Sequence, residues 1–256
     1  MRNLKRALSL ALAAIMLIGM MVVSASAASY NDLTDKDQIV NKDAVSMLVS
    51  LGIIEGKPDG SYAPTENVDR AQMAKMLSVI MNKGVDNSAL YQSVNSGLTD
   101  ITSHWAKGHI NYCYTTGIIA GRGNGKFDPS ATVTALEAAK MLLVAVGYDP
   151  AIEGFEGADW AINVSVRADE QGIFEGFTKD LSAPLNRDDA ALLIYNALDV
   201  EMIQSYTTNN YPIVYSDHRT ILSDKYGVIK VQGVVVANEW ASLASDDGDA
   251  ALKEGK

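Results

Sequence analysis

Arg70 and Arg187 each stand one residue inside the start of a helix-forming segment. A guanidinium there sets a fixed fork of donors beside free backbone amides and the positive end of the helix dipole, which suits a carboxylate or phosphate. The same position also describes an ordinary solvated surface arginine. Trp105 and Trp160 offer flat apolar faces suited to a sugar ring or to packing between elements. His104 and His109 lie five residues apart with no companion cysteine or third histidine, so no metal site is expected. The acidic loops lack the alternating oxygen ligands and closing glutamate of a calcium hand. No Gly-x-Ser-x-Gly, His-Glu-x-x-His or phosphate loop occurs, and no pair of carboxylates stands out as acid and base. The side-chain chemistry is that of holding a ligand, with no enzyme activity and no cofactor expected.

These residues recur because the chain repeats itself. Leu33-Thr34-Asp35 returns as Leu98-Thr99-Asp100, and Gly52-Ile53-Ile54-Glu55-Gly56 as Gly117-Ile118-Ile119-Ala120-Gly121, both 65 residues later. Tyr62-Ala63-Pro64 and Val68-Asp69-Arg70-Ala71-Gln72 return in the same register as Phe127-Asp128-Pro129 and Val133-Thr134-Ala135-Leu136-Glu137. A third copy carries Gly172-Ile173-Phe174-Glu175-Gly176 and Leu185-Asn186-Arg187-Asp188-Asp189, its loop three residues shorter. Each copy reads as helix, loop, helix. Trp105 to Thr116 has helical spacing and stops at Gly117, a residue suited to the left-handed turn that closes helices. The second helices open on capping boxes: Asp69 with Gln72, Thr134 with Glu137, Asn186 with Asp189. Apolar faces follow each cap, and their methionines read as core filler.

His104-Trp105-Ala106, the Gly-Ile-Ile-x-Gly segments, Phe127-Asp128-Pro129 and Val133-Thr134-Ala135-Leu136-Glu137 together resemble the S-layer homology (SLH) repeat. The first and third copies resemble it through Val68 to Gln72, Trp160-Ala161 and Leu185 to Asp189. The resemblance spans roughly residues 30 to 199. It implies a mainly α fold, three helix-loop-helix repeats packed as a pseudo-threefold unit. It also implies non-covalent attachment to the wall of a Gram-positive-type bacterium through grooves that take up an anionic secondary cell wall polysaccharide. Carried over residue by residue, it puts Arg70, Arg187, Trp105, Trp160, Asp35, Asp100, Gly56 and Gly121 at the ligand. The second copy has Ala135 at the arginine position, with Arg122 a candidate replacement. The first has Val40 at the tryptophan position, which marks its leading helix as degenerate. Self-association in a surface layer is a further implied partnership. The rival reading is an extracellular polysaccharide-active enzyme, or a fragment of one, carrying an SLH anchor.

The amino terminus supplies the compartment. Arg2, Lys5 and Arg6 precede an uncharged apolar run from Leu8 to Val23, and Ala25-Ser26-Ala27 has the form a signal peptidase reads. Cleavage after Ala27 starts the mature chain at Ala28 and removes three basic residues and no acidic ones, taking the net charge from −10 to −13. So acidic a chain is a poor general partner for nucleic acid or anionic lipid. No membrane association is expected after cleavage. Cys113 is the only cysteine, so no internal disulfide can form. The expected organisation is a signal peptide over 1–27, repeats over 28–84, 95–149 and 155–200, a short β-rich segment over 201–241, and a flexible acidic tail over 242–256. Within the β-rich segment, Tyr211 to Tyr215 and Gly227 to Asn238 read as strands, with a hairpin through Ser223-Asp224-Lys225-Tyr226-Gly227.

Overall fold

The computed structural model describes residues 29–207 and 213–230. The leader, most of the strand expected at Gly227 to Asn238 and the acidic tail lie outside the described residues. The chain divides into one compact unit that ends at Tyr226 and a second that begins at Gly227. None of the described helices is long and apolar enough to cross a membrane.

The first unit is mainly helical: α1 (Lys42–Ser50), α2 (Arg70–Met81), α3 (Lys107–Thr115), α4 (Ala135–Val146), α5 (Trp160–Glu170) and α6 (Arg187–Ala197), followed by β1 (Glu201–Tyr206), β2 (Ile213–Thr220) and α7 (Ile221–Tyr226). Each repeat contributes a leading helix and a second helix. The leading helices end at Gly52, Gly117 and Gly172, whose φ values of 69°, 78° and 71° lie in the left-handed region that a Cβ disfavours. Asp69 with Gln72 and Thr134 with Glu137 form complete reciprocal caps. The third box is one-sided. Asn186 accepts from the Asp189 amide, but the Asp189 carboxylate is drawn off by Lys179.

Packing between repeats is cyclic. The leading helix of each repeat lies on the second helix of the one before: α3 on α2, α5 on α4, and α1 back on α6. At the centre, short extended segments exchange hydrogen bonds head to tail. Val68 N–H donates to Leu185 C=O (2.9 Å), Leu185 N–H to Val133 C=O (2.8 Å), and Val133 N–H to Val68 C=O (2.9 Å). A second tier runs around the axis in the opposite sense, from Ala71 to Pro129, Leu136 to Leu181 and Asp188 to Pro64. This is the pseudo-threefold unit, its core filled by the apolar faces of all six helices and by the buried loop aromatics Tyr62 and Phe127. α1 and α3 are both nine residues long, so the change at Val40 alters the surface and leaves the helix standing.

The C-terminal hairpin differs from expectation. It is built by β1 and β2, which pair antiparallel, and the stretch expected to turn, Ser223 to Tyr226, lies in α7. Two forces make it helical. Thr220 and Ser223 cap each other reciprocally, and Ile221 and Leu222 bury completely against the repeat core. Leu222 N–H donates to Leu198 C=O and the Tyr226 hydroxyl to Ile80 C=O. Tyr206 donates to the buried Glu153 carboxylate, which also receives Arg167 through Nε and Nη2. These bonds seat the hairpin and α7 on the repeats.

Candidate functional site

Two grooves open at equivalent places, and each is assembled from all three repeats. Groove 1 has a volume of about 270 Å³. Its floor is the loop Ile53 to Pro58, its wall is α2 through Gln72, Lys75 and Met76, and Trp105 and Arg187 arrive from repeats two and three. Groove 2, about 410 Å³, has Ile118 to Arg122 as floor and Glu137, Lys140 and Met141 of α4 as wall. Trp160 and Arg70 complete it from repeats three and one. Gly56 and Gly121 sit in the floors, where backbone must pass close to its neighbours. A Cβ on Gly121 would stand 2.9 Å from Lys126 C=O, and one on Gly56 3.1 Å from Leu33 Cδ2.

The arginines are anchored before any ligand arrives. Arg70, 5% exposed, donates from Nε to Phe127 C=O and from Nη2 to Ala120 C=O, both 2.9 Å, with its guanidinium 4.4 Å from the centre of the Phe127 ring. Burial, with Arg122 nearby, pulls its pKa below the ordinary arginine value, though not enough to discharge it at neutral pH. Arg187 repeats the arrangement on Tyr62 and Glu55 C=O at 2.7 and 3.1 Å, stacked 4.7 Å above the Tyr62 ring. Each guanidinium therefore ties the second helix of one repeat to the glycine loop of the next, with one edge left for the groove. Asp35 and Asp100 sit behind the loops. Asp35 accepts from the Tyr62 and Ala63 amides, Asp100 from those of Phe127 and Asp128, and Ala63 and Asp128 hold left-handed φ values of 56° and 61°. Burial tends to raise the Asp100 pKa, but the two amides outweigh it and hold the carboxyl below the usual range. Neither aspartate is among the groove-lining residues.

Sequence reasoning missed a lysine in each groove. Lys75 and Lys140 occupy the same position on α2 and α4, 65 residues apart, a recurrence visible in the repeat alignment. Lys75 Nζ lies 3.5 Å from Glu55, and Lys140 Nζ lies 5.7 Å from the centre of the Trp160 ring while donating to Phe155 C=O. Arg122 does not stand in for the missing arginine of the second copy. It lines groove 2, paired at 2.8 Å with Glu137. At the third equivalent place, Ala135 replaces the arginine, Leu192 the lysine and Val40 the tryptophan, so that position carries none of the three. Trp105 is 56% exposed, with its ring open to solvent.

Elsewhere, His109 Nδ1 lies 2.6 Å from Ser78 Oγ and Nε2 3.6 Å from Asp86, the residue types of a nucleophile, base and acid. Ser78 and His109 are each only 4% exposed, and the Ser78 hydroxyl also donates to Lys75 C=O. A substrate has no approach to that oxygen. Among the described residues no group of three or more His, Cys, Asp or Glu could hold a metal ion.

A ring of helical repeats with composite, cation-bearing grooves defines a binding module of tandem repeats. Residues 29–74 and 97–139 match the S-layer homology domain, and the chain carries S-layer homology domains; its third copy repeats their geometry. A "Cell surface protein" of Thermoanaerobacter kivui is 27% identical over the whole of this chain and 31% of its own length. The "S-layer protein EA1" of Bacillus anthracis is 32% identical over 43% of this chain and 12% of its own length. An "Amylopullulanase" of Thermoanaerobacterium thermosulfurigenes is 30% identical over 67% of this chain and 10% of its own. The chain thus spans less than a third of the length of each of these relatives. It is a cell-surface protein.

Proposed function

We propose that this chain attaches to the bacterial cell wall without a covalent bond, by taking an anionic secondary cell wall polysaccharide into grooves 1 and 2. The observation that carries the reading is the composite lining: each groove gathers an arginine, a lysine and a tryptophan from three different repeats, cations for an acidic substituent and an aromatic face for its sugar. Protein and polymer are both negative, so long-range attraction opposes the encounter. Screening over about 8 Å at physiological salt leaves the groove cations to dominate locally. The export-type leader and the cell-surface relatives support the same reading.

Calorimetric titration with purified wall polysaccharide tests it. Binding is expected with the acidic substituent in place and lost on its removal; equal affinity for both forms would refute the anionic part of the reading. The second reading, an SLH anchor on a polysaccharide-active enzyme, is favoured by the amylopullulanase relative. Release of reducing sugar from isolated walls would establish it, whereas sedimentation with walls and no turnover supports an anchor alone.

A further inference from the structure

Grooves 1 and 2 differ just behind their tryptophans. In groove 1 the residue one turn along from Trp105 is His109, and the residue facing it across the seam is Ser78 of α2. In groove 2 the equivalent residues are Val164 and Leu143, both fully buried. One seam is closed by a titratable pair and the other by hydrocarbon.

The Ser78···His109 contact lies one helical turn from two groove residues at once. Lys75 precedes Ser78 by three positions on α2, and Trp105, in the turn that leads into α3, precedes His109 by four, its ring edge-on to the imidazole at 6.3 Å. The single Ser78 hydroxyl hydrogen serves Lys75 C=O at 2.9 Å. Both contacts are satisfied when His109 Nδ1 carries the proton and donates to Ser78, which leaves the Nε2 lone pair facing Asp86. The charged groups that face His109 are Asp86, from the linker after α2, and Lys75. The neighbouring turn Ser88–Tyr91 adds the Tyr91 ring, packed on Tyr112, and the segment before α3 adds His104, its ring centre 5.6 Å from that of Trp105.

We propose that His109 is the positioning residue of groove 1: neutral, it holds Trp105 and Lys75 at the groove, and protonated, it releases them, so groove 1 loses its ligand in mild acid while groove 2 keeps it. The proposal rests on the grooves being ligand sites. Protonation adds a hydrogen at Nε2, which pulls the ring toward the Asp86 carboxylate, 3.6 Å away, against the retained Nδ1–H bond to Ser78, and places a like charge beside Lys75. The imidazolium also loses hydration in a seam that exposes only 4% of the residue. Burial, reinforced by Lys75 and opposed by Asp86, lowers the His109 pKa. A histidine whose folded value is depressed contributes stability that is present above its unfolded value, near 6.5, and is lost as pH falls below it. The acid arm of the groove 1 profile therefore lies below about pH 6.5.

The test isolates each groove in the full mature chain and titrates it with purified wall polysaccharide. Trp160→Ala leaves groove 1, and its affinity is expected to fall about tenfold between about pH 7.5 and about pH 5. Trp105→Ala leaves groove 2, with less than about a twofold change over the same range. His109→Gln in the Trp160→Ala background should flatten the profile. Matching pH profiles in the two single-groove variants would overturn the proposal and leave wall binding intact. Loss of the pH response in His104→Gln would overturn it by moving the switch to the other histidine. No binding by any variant or by wild type at any pH would overturn the functional reading and this proposal with it. Should His109→Gln fail to fold, fluorotryptophan-labelled wild-type protein still decides: the Trp105 resonance must titrate together with the His109 imidazole while that of Trp160 stays put, and a Trp105 signal insensitive to pH refutes the coupling.

Discussion

Arg70→Ala is the most informative single change, because the structure assigns the side chain a mechanical task that can be measured without any ligand. The guanidinium makes two charge-assisted bonds to carbonyls of the neighbouring repeat and lies 4.4 Å from the centre of the Phe127 ring, with 5% of the residue exposed. Bonds of this kind contribute about 1.5 to 3 kcal/mol each, and truncation leaves two buried acceptors without donors. Stacking on an aromatic adds about 0.5 to 2 kcal/mol. Because the losses share one side chain they do not sum fully, and a destabilisation of about 3 to 5 kcal/mol is expected. Arg187 makes the same contacts from a half-buried position, so Arg187→Ala should lose less, about 1 to 3 kcal/mol. Urea denaturation of the mature chain reads both, with the slope checked for a change in the unfolded state. An Arg70→Ala variant within about 0.5 kcal/mol of wild type would refute the claim that this guanidinium fastens the repeat two loop. Equal losses for the two arginines would refute burial as what ranks them.

Four further expectations follow from the same geometry. Gly117→Val should destabilise by about 1 to 2 kcal/mol through left-handed strain alone, since a Cβ there meets nothing within 4 Å; Gly108→Ala, whose Cβ would stand 2.1 Å from Ser88 C=O, should lose more, both read as a shift in melting temperature. Asp100 has its pKa lowered in the fold, so the stability it contributes is present above its unfolded value near 3.9 and lost as pH falls through the folded value; Asp100→Asn should lower stability at neutral pH and flatten that acid limb, and an unchanged limb would show that the amide contacts do not matter. Tyr206→Phe removes the bond to Glu153 and should cost about 1 kcal/mol, with faster hydrogen exchange in β1; unaltered exchange would mean that the hairpin is held elsewhere. Secreted material should begin at Ala28, which mass analysis of the intact mature chain checks directly.

What could be read from sequence was what local chemistry decides. The glycines that end the leading helices and the caps at Asp69 and Thr134 each declare themselves within a few residues, and the 65-residue period shows once those short motifs are aligned. The sites depend on contacts between repeats, and those are silent in a linear reading. Arg70 reads as a surface residue of its own helix, and only the cyclic packing of α2 against the repeat two loop turns it inward. Lys75 and Lys140 look like solvated helix lysines until a tryptophan from the next repeat is brought beside them. The hairpin escapes a linear reading because Ser223-Asp224-Lys225 has turn composition, while burial of Ile221 and Leu222 against distant residues decides for helix.

The hydrogen-bonded ring of Val68, Val133 and Leu185 has a consequence for how many repeats such a unit can hold. Each contact is head to tail, donor of one copy to acceptor of another, the kind of interface that extends into a filament unless its rotation closes. Here the rotation closes on the third step, within one polypeptide. A two-copy fragment would leave an unmatched amide at one end and an unmatched carbonyl at the other, in a core that excludes water. A fourth copy would have nowhere to enter without breaking the ring. The unit can therefore lose the chemistry of one groove, as it has around Ala135, Leu192 and Val40, but it cannot lose the repeat that once carried it.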